Sequence, residues 1–304
     1  MATAFRHPLL LLVVALWAMT WISAARAGPL EDAQAALAAG NHVTALELLG
    51  KLVDQDNPEA EHLLGVMYLR GLGVAQDDAM AARWMRIAAS HGQAEAQNQL
   101  GLFYAQGRGV ERSIAEAVKL FRLAADQGGL AAAQNNLADS LMFGLGGKQD
   151  LKEAFKWYRI AADQGSAYAE NVIGVAYERG FFVAQDDAEA FRWFRRAANK
   201  IIDRPGSNWI HTPQYNIALM YASGRGTAQD NVRALMWLTL AVAFGDTKPP
   251  AEGGVKLVNT PTLTAPEQRE KLLAQMTASQ IAEGERMARE WQPHPVLTIE
   301  STSK

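Results

Sequence analysis

Between Ala60 and Gly245 the chain alternates two helical stripes with short polar breaks. In "AEHLLGVMYLRGLGVAQDDAMAARWMRIAASHG", Leu64 and Tyr68 lie four apart and share one helical face. Gly71 follows as a helix stop, because glycine takes the left-handed C-cap without steric cost. Asp77 then offers a side-chain acceptor to the first turn of a second helix. In that helix Ala81, Trp84 and Ala88 make an apolar stripe at spacings of three and four. The pattern predicts a helical hairpin.

The same pattern returns with a period of 36 or 37, in stretches opening at Ala60, Ala96, Ala133, Ala169 and Gln214. Its columns are an aliphatic one (Leu64, Leu100, Leu137, Ile173, Ile217), a small one (Gly65, Gly101, Ala138, Gly174, Ala218) and a helix-stop glycine (Gly71, Gly107, Gly144, Gly180, Gly224). The capping column is Asp77, Ser113, Asp150, Asp186 and Asp230. Glu116, Glu153 and Glu189 stand three residues after their caps and predict capping boxes. The glycine-rich "YLRGLGVAQDD" is thereby a recurring turn. It follows a helix and has no lysine placed for a phosphate, unlike a phosphate-binding loop.

The motif "A..LG..Y..G.GV..D...A..W...AA..G" resembles the Sel1-like repeat, a relative of the tetratricopeptide repeat, over residues 41–245. Ala138 and Leu141 in the third unit, and Phe182 in place of a loop glycine in the fourth, depart from it. The resemblance implies an all-α, right-handed α/α solenoid whose first helices line a concave surface, with helical caps. It also implies an adaptor or scaffold rather than an enzyme.

On this reading residues 28–59 form an N-terminal partial repeat and cap, and 60–245 hold five repeats with an insertion near 200–213. Residues 246–266 read as a linker loop and 267–292 as C-terminal capping helices, the second capped by Thr277 with Gln280 three on. Residues 293–304 read as a disordered tail.

The first 27 residues are of another kind. Arg6 and His7 precede an apolar run from Leu9 to Ile22, closed by the small-x-small pair Ala25 and Ala27. This predicts a signal peptide cleaved after Ala27 and an exported, periplasmic or secreted protein without a membrane span. A retained anchor is the competing reading of the same run. Cleavage would move the formal net charge from -3 to -5 by removing Arg6 and Arg26. An acidic exported chain has no basic excess with which to hold nucleic acid. The basic row Arg83, Lys119, Lys156 and Arg192 on the second helices reads as a solvated face.

The chain has no cysteine, so it has no disulfide, thiolate nucleophile or Cys-based metal site. Its six histidines stand singly, and neither Gly-x-Ser-x-Gly nor a serine–lysine motif occurs. Neither a catalytic group, a cofactor nor a metal is expected.

The candidate partner site is the first-helix face: His62, Asn98, Asn135, Asn171 and Tyr215 in one column, Gln99, Asn136 and Asn216 in the next. Read as solvent-facing, these carboxamides can pair with an extended peptide backbone. They can equally pair between neighbouring repeats. Trp209 and His211 in the insertion read either as a protruding anchor or as a cover for the joint. The expected function is an exported scaffold, a periplasmic regulatory or assembly factor that recognises a partner protein. The alternatives are a cell-wall or exopolysaccharide-handling component that binds glycan, and a β-lactamase-like hydrolase.

Overall fold

The computed structural model describes residues 28–200, 212–245 and 263–293. Residues 1–27, read above as a signal peptide, the insertion residues Trp209 and His211, most of the stretch read as a linker and the residues beyond 293 lie outside them. The described residues form fourteen α-helices and no strand.

They divide into two compact units, the first running through Ala96 with Arg108–Val110, the second comprising Gln97–Gly107 and the chain from Glu111 onward. The first unit holds α1 (Pro29–Ala38), α2 (His42–Val53), α3 (Pro58–Arg70) and α4 (Asp78–Ser90). Helix α5 (Ala94–Gln106) spans the division. The second unit continues with α6 (Ile114–Asp126), α7 (Ala131–Phe143), α8 (Leu151–Asp163), α9 (Ala167–Arg179) and α10 (Asp187–Ala198). It ends with α11 (Pro213–Ser223), α12 (Asn231–Ala243), α13 (Ala265–Leu273) and α14 (Ala278–Glu290).

Each repeat is a hairpin of neighbouring helices, as the stripes required. The small column explains the closeness of the pair. A Cβ at Gly101 would lie 2.6 Å from Phe121, and one at Gly174 would lie 2.5 Å from Phe194. Gly71, Gly144, Gly180 and Gly224 end their helices in the left-handed conformation with φ between 64° and 70°. At the other end Asp77, Ser113, Asp150, Asp186 and Asp230 each accept first-turn backbone N–H groups.

The three expected capping boxes are a correction. Glu116, Glu153 and Glu189 turn outward to Lys119, Arg122 and Arg192 instead of back to the cap, since a cation within reach outcompetes a neutral N–H. Complete boxes occur at Thr264 with Glu267 and at Thr277 with Gln280. The first of these starts α13 at Ala265, inside the stretch expected as linker.

Successive repeats meet where a loop lies on the start of the preceding second helix. A Cβ at Gly109 would sit 2.1 Å from the Asp78 carbonyl oxygen, and one at Gly226 would sit 2.0 Å from that of Asp187. The neighbouring arginines pin the same joints: Arg108 Nε donates to Asp78 at 2.7 Å, and Arg225 Nη2 to Asp187 at 2.8 Å. These hydrogen bonds hold both carboxyls below the usual carboxylate range.

The core of the first unit is Ala33, Ala45, Leu49, Leu52, Ala60, Leu64 and Met67. In the second unit the last repeat is closed by the terminal helices. Trp291 stacks edge-on against Trp237 at 6.1 Å and Phe244 at 5.8 Å, and Tyr215 donates to the Leu263 carbonyl at 2.6 Å.

Candidate functional site

The first helices carry the residues read as a partner site, and burial corrects the expectation that these side chains face solvent. Asn98, Asn135, Asn136, Asn171, Tyr215 and Asn216 are buried, and only His62 and Gln99 are half-exposed. The carboxamides are occupied within the protein. Asn136 Nδ2 donates to Asn98 Oδ1 at 2.8 Å, and Asn216 Nδ2 to Asn171 Oδ1 at 2.9 Å. Each bond joins the first column of one repeat to the second column of the next. Where the second column is Val172, no such partner exists, and Asn135 donates to Ser166 Oγ at 2.9 Å. A buried amide needs a partner whatever else it does, and here the nearest one lies on the adjacent repeat.

One position earlier runs a second polar column, unmarked by the helical pattern. His91 Nδ1 lies 2.8 Å from Glu61 Oε2, and Gln127 donates to Gln97 at 2.8 Å. Gln164 donates to Gln134 at 3.1 Å, and Lys200 to Glu170 at 2.7 Å. In all four the partners are 30 residues apart and tie the start of a first helix to the end of its own hairpin. In the fifth repeat the far partner becomes Phe244, and Gln214 donates to the Ala198 carbonyl instead, at 3.1 Å. The signal was present in the sequence as pairs of matched chemistry at a constant separation.

Glu170 is the most demanding of these groups. It is fully buried, meets Lys200 and Arg196, and its pKa is raised by burial against the pull of those two cations. Asp139 is a further anomaly, a half-buried acid in a column otherwise Val66, Leu102, Val175 and Leu219. Tyr158 and Tyr168 both donate to its Oδ1, at 2.5 and 2.7 Å. Burial and the adjacent carboxylate push the Tyr158 hydroxyl well up, so it stays a donor.

Among the described residues, Asp56, Glu61 and His91 could present three ligand atoms to a cation, all within 4.8 Å of one another. Two of the three are the first repeat's version of the hairpin tie, which accounts for their approach without an ion. A cleft of about 410 Å³ lies in the second unit between α11, α12 and α13, lined in part by Leu219, Arg225, Asn231 and Lys271. In the basic row of the second helices Lys119 and Arg192 each meet a glutamate, and so does Arg122 beside it. Among the described residues no helix is long and apolar enough to cross a membrane.

Against this geometry the comparisons with known proteins are consistent with one another. The Sel1 repeat family profile matches residues 58–93, 94–129, 131–166, 167–200 and 214–245. The chain is similar to the crystal structure of a Sel1 repeat protein from Oxalobacter formigenes. The identity is 32%, with a TM-score of 0.65 over 72% of this chain and 84% of that one. It is also similar to c5321, a protective antigen present in uropathogenic Escherichia coli strains that displays an SLR fold. There the identity is 30% and the TM-score 0.63, over 81% of this chain and 49% of that one, so this chain spans about half of that protein. No curated protein matches the chain.

Proposed function

The chain belongs to the Sel1 repeat family, whose members typically serve as protein-interaction scaffolds, and on that footing we propose that it is an exported scaffold. It recognises a segment of a partner protein along the first helices of its repeats, as a periplasmic regulatory or assembly factor. Export rests on the positive start, apolar run and small-x-small ending of residues 1–27.

One observation carries the binding reading. The buried asparagines bond neighbouring first helices to each other, which fixes the spacing of the half-exposed side chains on those helices. Gln99 and Leu102 on α5 are such side chains, three apart on one helical face. In this account Asn98, Asn135, Asn136, Asn171 and Asn216 position the surface, Tyr215 anchors its last helix, and His62 and Gln99 touch the partner. Trp209 and His211 belong to the same proposal as a flanking anchor.

The test is co-purification from the native host with a tagged chain. Leu102→Glu places a charge in the recognition row and lowers recovery of the partner about tenfold or more, the range of an interface hot spot. Arg192→Glu on a second helix leaves recovery unchanged. Equal recovery with Leu102→Glu, at an unchanged melting temperature, contradicts the proposal.

A further inference from the structure

The joints between repeats are not alike. In two of them an arginine of the incoming loop meets an aspartate at the start of the preceding second helix: Arg108 with Asp78, and Arg225 with Asp187. The equivalent pairs at the other two joints are Leu145 with Ile114 and Phe181 with Leu151. Charge has been exchanged for apolar surface on both sides of each joint.

The joint of the fourth repeat departs further. Its loop has Phe182 where the sibling loops have Gly73, Gly109, Gly146 and Gly226. Phe182 adopts φ +63°, the conformation of those glycines, at a cost of roughly 1–2 kcal/mol for a residue with a side chain. A Cβ at Gly226 would strike a backbone oxygen, so a phenylalanine cannot take the close seat that Gly226 takes on the helix below. The ring is held outside by Phe155 of the third repeat at 5.8 Å and by Phe181 at 6.0 Å. It remains 38% exposed, and Leu145, on the loop of the preceding repeat, is 46% exposed. Glycine would seat the loop without this strain, whereas the phenylalanine packs on two rings and still leaves part of its own face exposed.

Two lysines stand beside this patch. Lys148 and Lys152 replace Ala75 and Ala79 of the first repeat, and Ala184 and Ala188 of the fourth. Both lysines are exposed and make no ion pair with another described residue. In the sibling joint of the third repeat, a Cβ at Gly146 would lie 3.2 Å from Ala115 Cα. Lys152 is the repeat equivalent of Ala115, in the first turn of the second helix of the third repeat, the helix whose start the fourth repeat's loop faces. The nearby acids are engaged: Asp150 and Asp186 cap their helices, and Glu153 holds Arg122.

We propose that Leu145, Phe181 and Phe182 with Lys148 and Lys152 form a second docking surface, on the loop edge of the third and fourth repeats. Its occupant is an acidic peptide segment of a partner protein, with an apolar anchor side chain flanked by carboxylates. The anchor covers the phenylalanine rings and the carboxylates meet the lysines, the charge complement that the patch itself lacks. This surface is independent of the first-helix face, so Leu102→Glu leaves it intact.

The experiment is panning of a random dodecapeptide phage library on the purified chain, with affinities of the selected peptides read by fluorescence anisotropy. The expected peptides carry Phe, Leu or Met beside Asp or Glu. Phe182→Gly weakens them about tenfold or more, and Lys152→Glu by about threefold or more, the scale of a hot spot and of a rim charge. Because glycine is the sibling residue, Phe182→Gly keeps or raises the melting temperature. Peptides without acidic residues, equal binding to Phe182→Gly, or no selection at all overturn the proposal. So does a Phe182-dependent attachment to phosphatidylglycerol vesicles without peptide binding, which assigns the patch to a membrane surface.

Discussion

At the scale of single residues, the asparagines decide how the first helices are read. A carboxamide offers two donors and an acceptor, so a row of them suits a peptide backbone and suits a neighbouring helix equally. Sequence spacing alone leaves the two open. Burial separates them: at Asn136 and Asn98 the two amides meet each other at 2.8 Å, out of water. Asn98→Leu and Asn136→Leu each remove the bond between the two amides from a buried site and cost about 1–3 kcal/mol. The double replacement Asn98→Leu with Asn136→Leu removes both polar groups and recovers part of that loss. Denaturant unfolding of the two single variants and the double one measures the coupling. A double variant as unstable as the sum of the singles contradicts a direct pair. The tie between Glu170 and Lys200 lies on the same scale, and was hidden for a different reason. Its partners are 30 residues apart, beyond any helical period, and only the comparison of repeats reveals them.

At the scale of the helix and its turns, the sequence was most legible. Each turn is written by local chemistry: an aspartate or serine that caps, a glycine that takes positive φ, an alanine or glycine that admits the facing helix. These need no tertiary context, so the hairpins read directly from the chain. The capping boxes failed because their glutamates found cations, Glu116 and Glu189 three residues on in their own helices and Glu153 on Arg122 of the preceding second helix. The second loop glycine has a role the sequence shows only as recurrence. Gly226→Ala combines φ +65° with a Cβ about to occupy the Asp187 carbonyl, 2.0 Å away. Gly245→Ala has a positive φ but open space around it. Thermal unfolding separates them. Gly245→Ala shows only the conformational cost, about 1–2 kcal/mol. Gly226→Ala lowers the melting temperature further, by about 2–4 °C for each additional kcal/mol. Equal losses would show that the loop does not rest on the helix start.

At the scale of the whole molecule, the repeat family follows from the columns, and the scaffold role follows from the family. The partner's identity does not, because a repeat preserves what holds it together and varies what it displays. The half-exposed Gln99 sits in a column that varies between Leu63, Asn136, Val172 and Asn216, and Phe182 announces itself only by breaking one. The central claim is that the first-helix face meets a partner protein and the second helices do not. The most direct measurement is photo-crosslinking in the native host, with benzoylphenylalanine placed singly at Gln99 and at Lys119, and adducts identified by mass spectrometry. The account predicts one discrete protein adduct from Gln99 that is absent from Lys119. The same adducts from both positions, or none from Gln99, would contradict it.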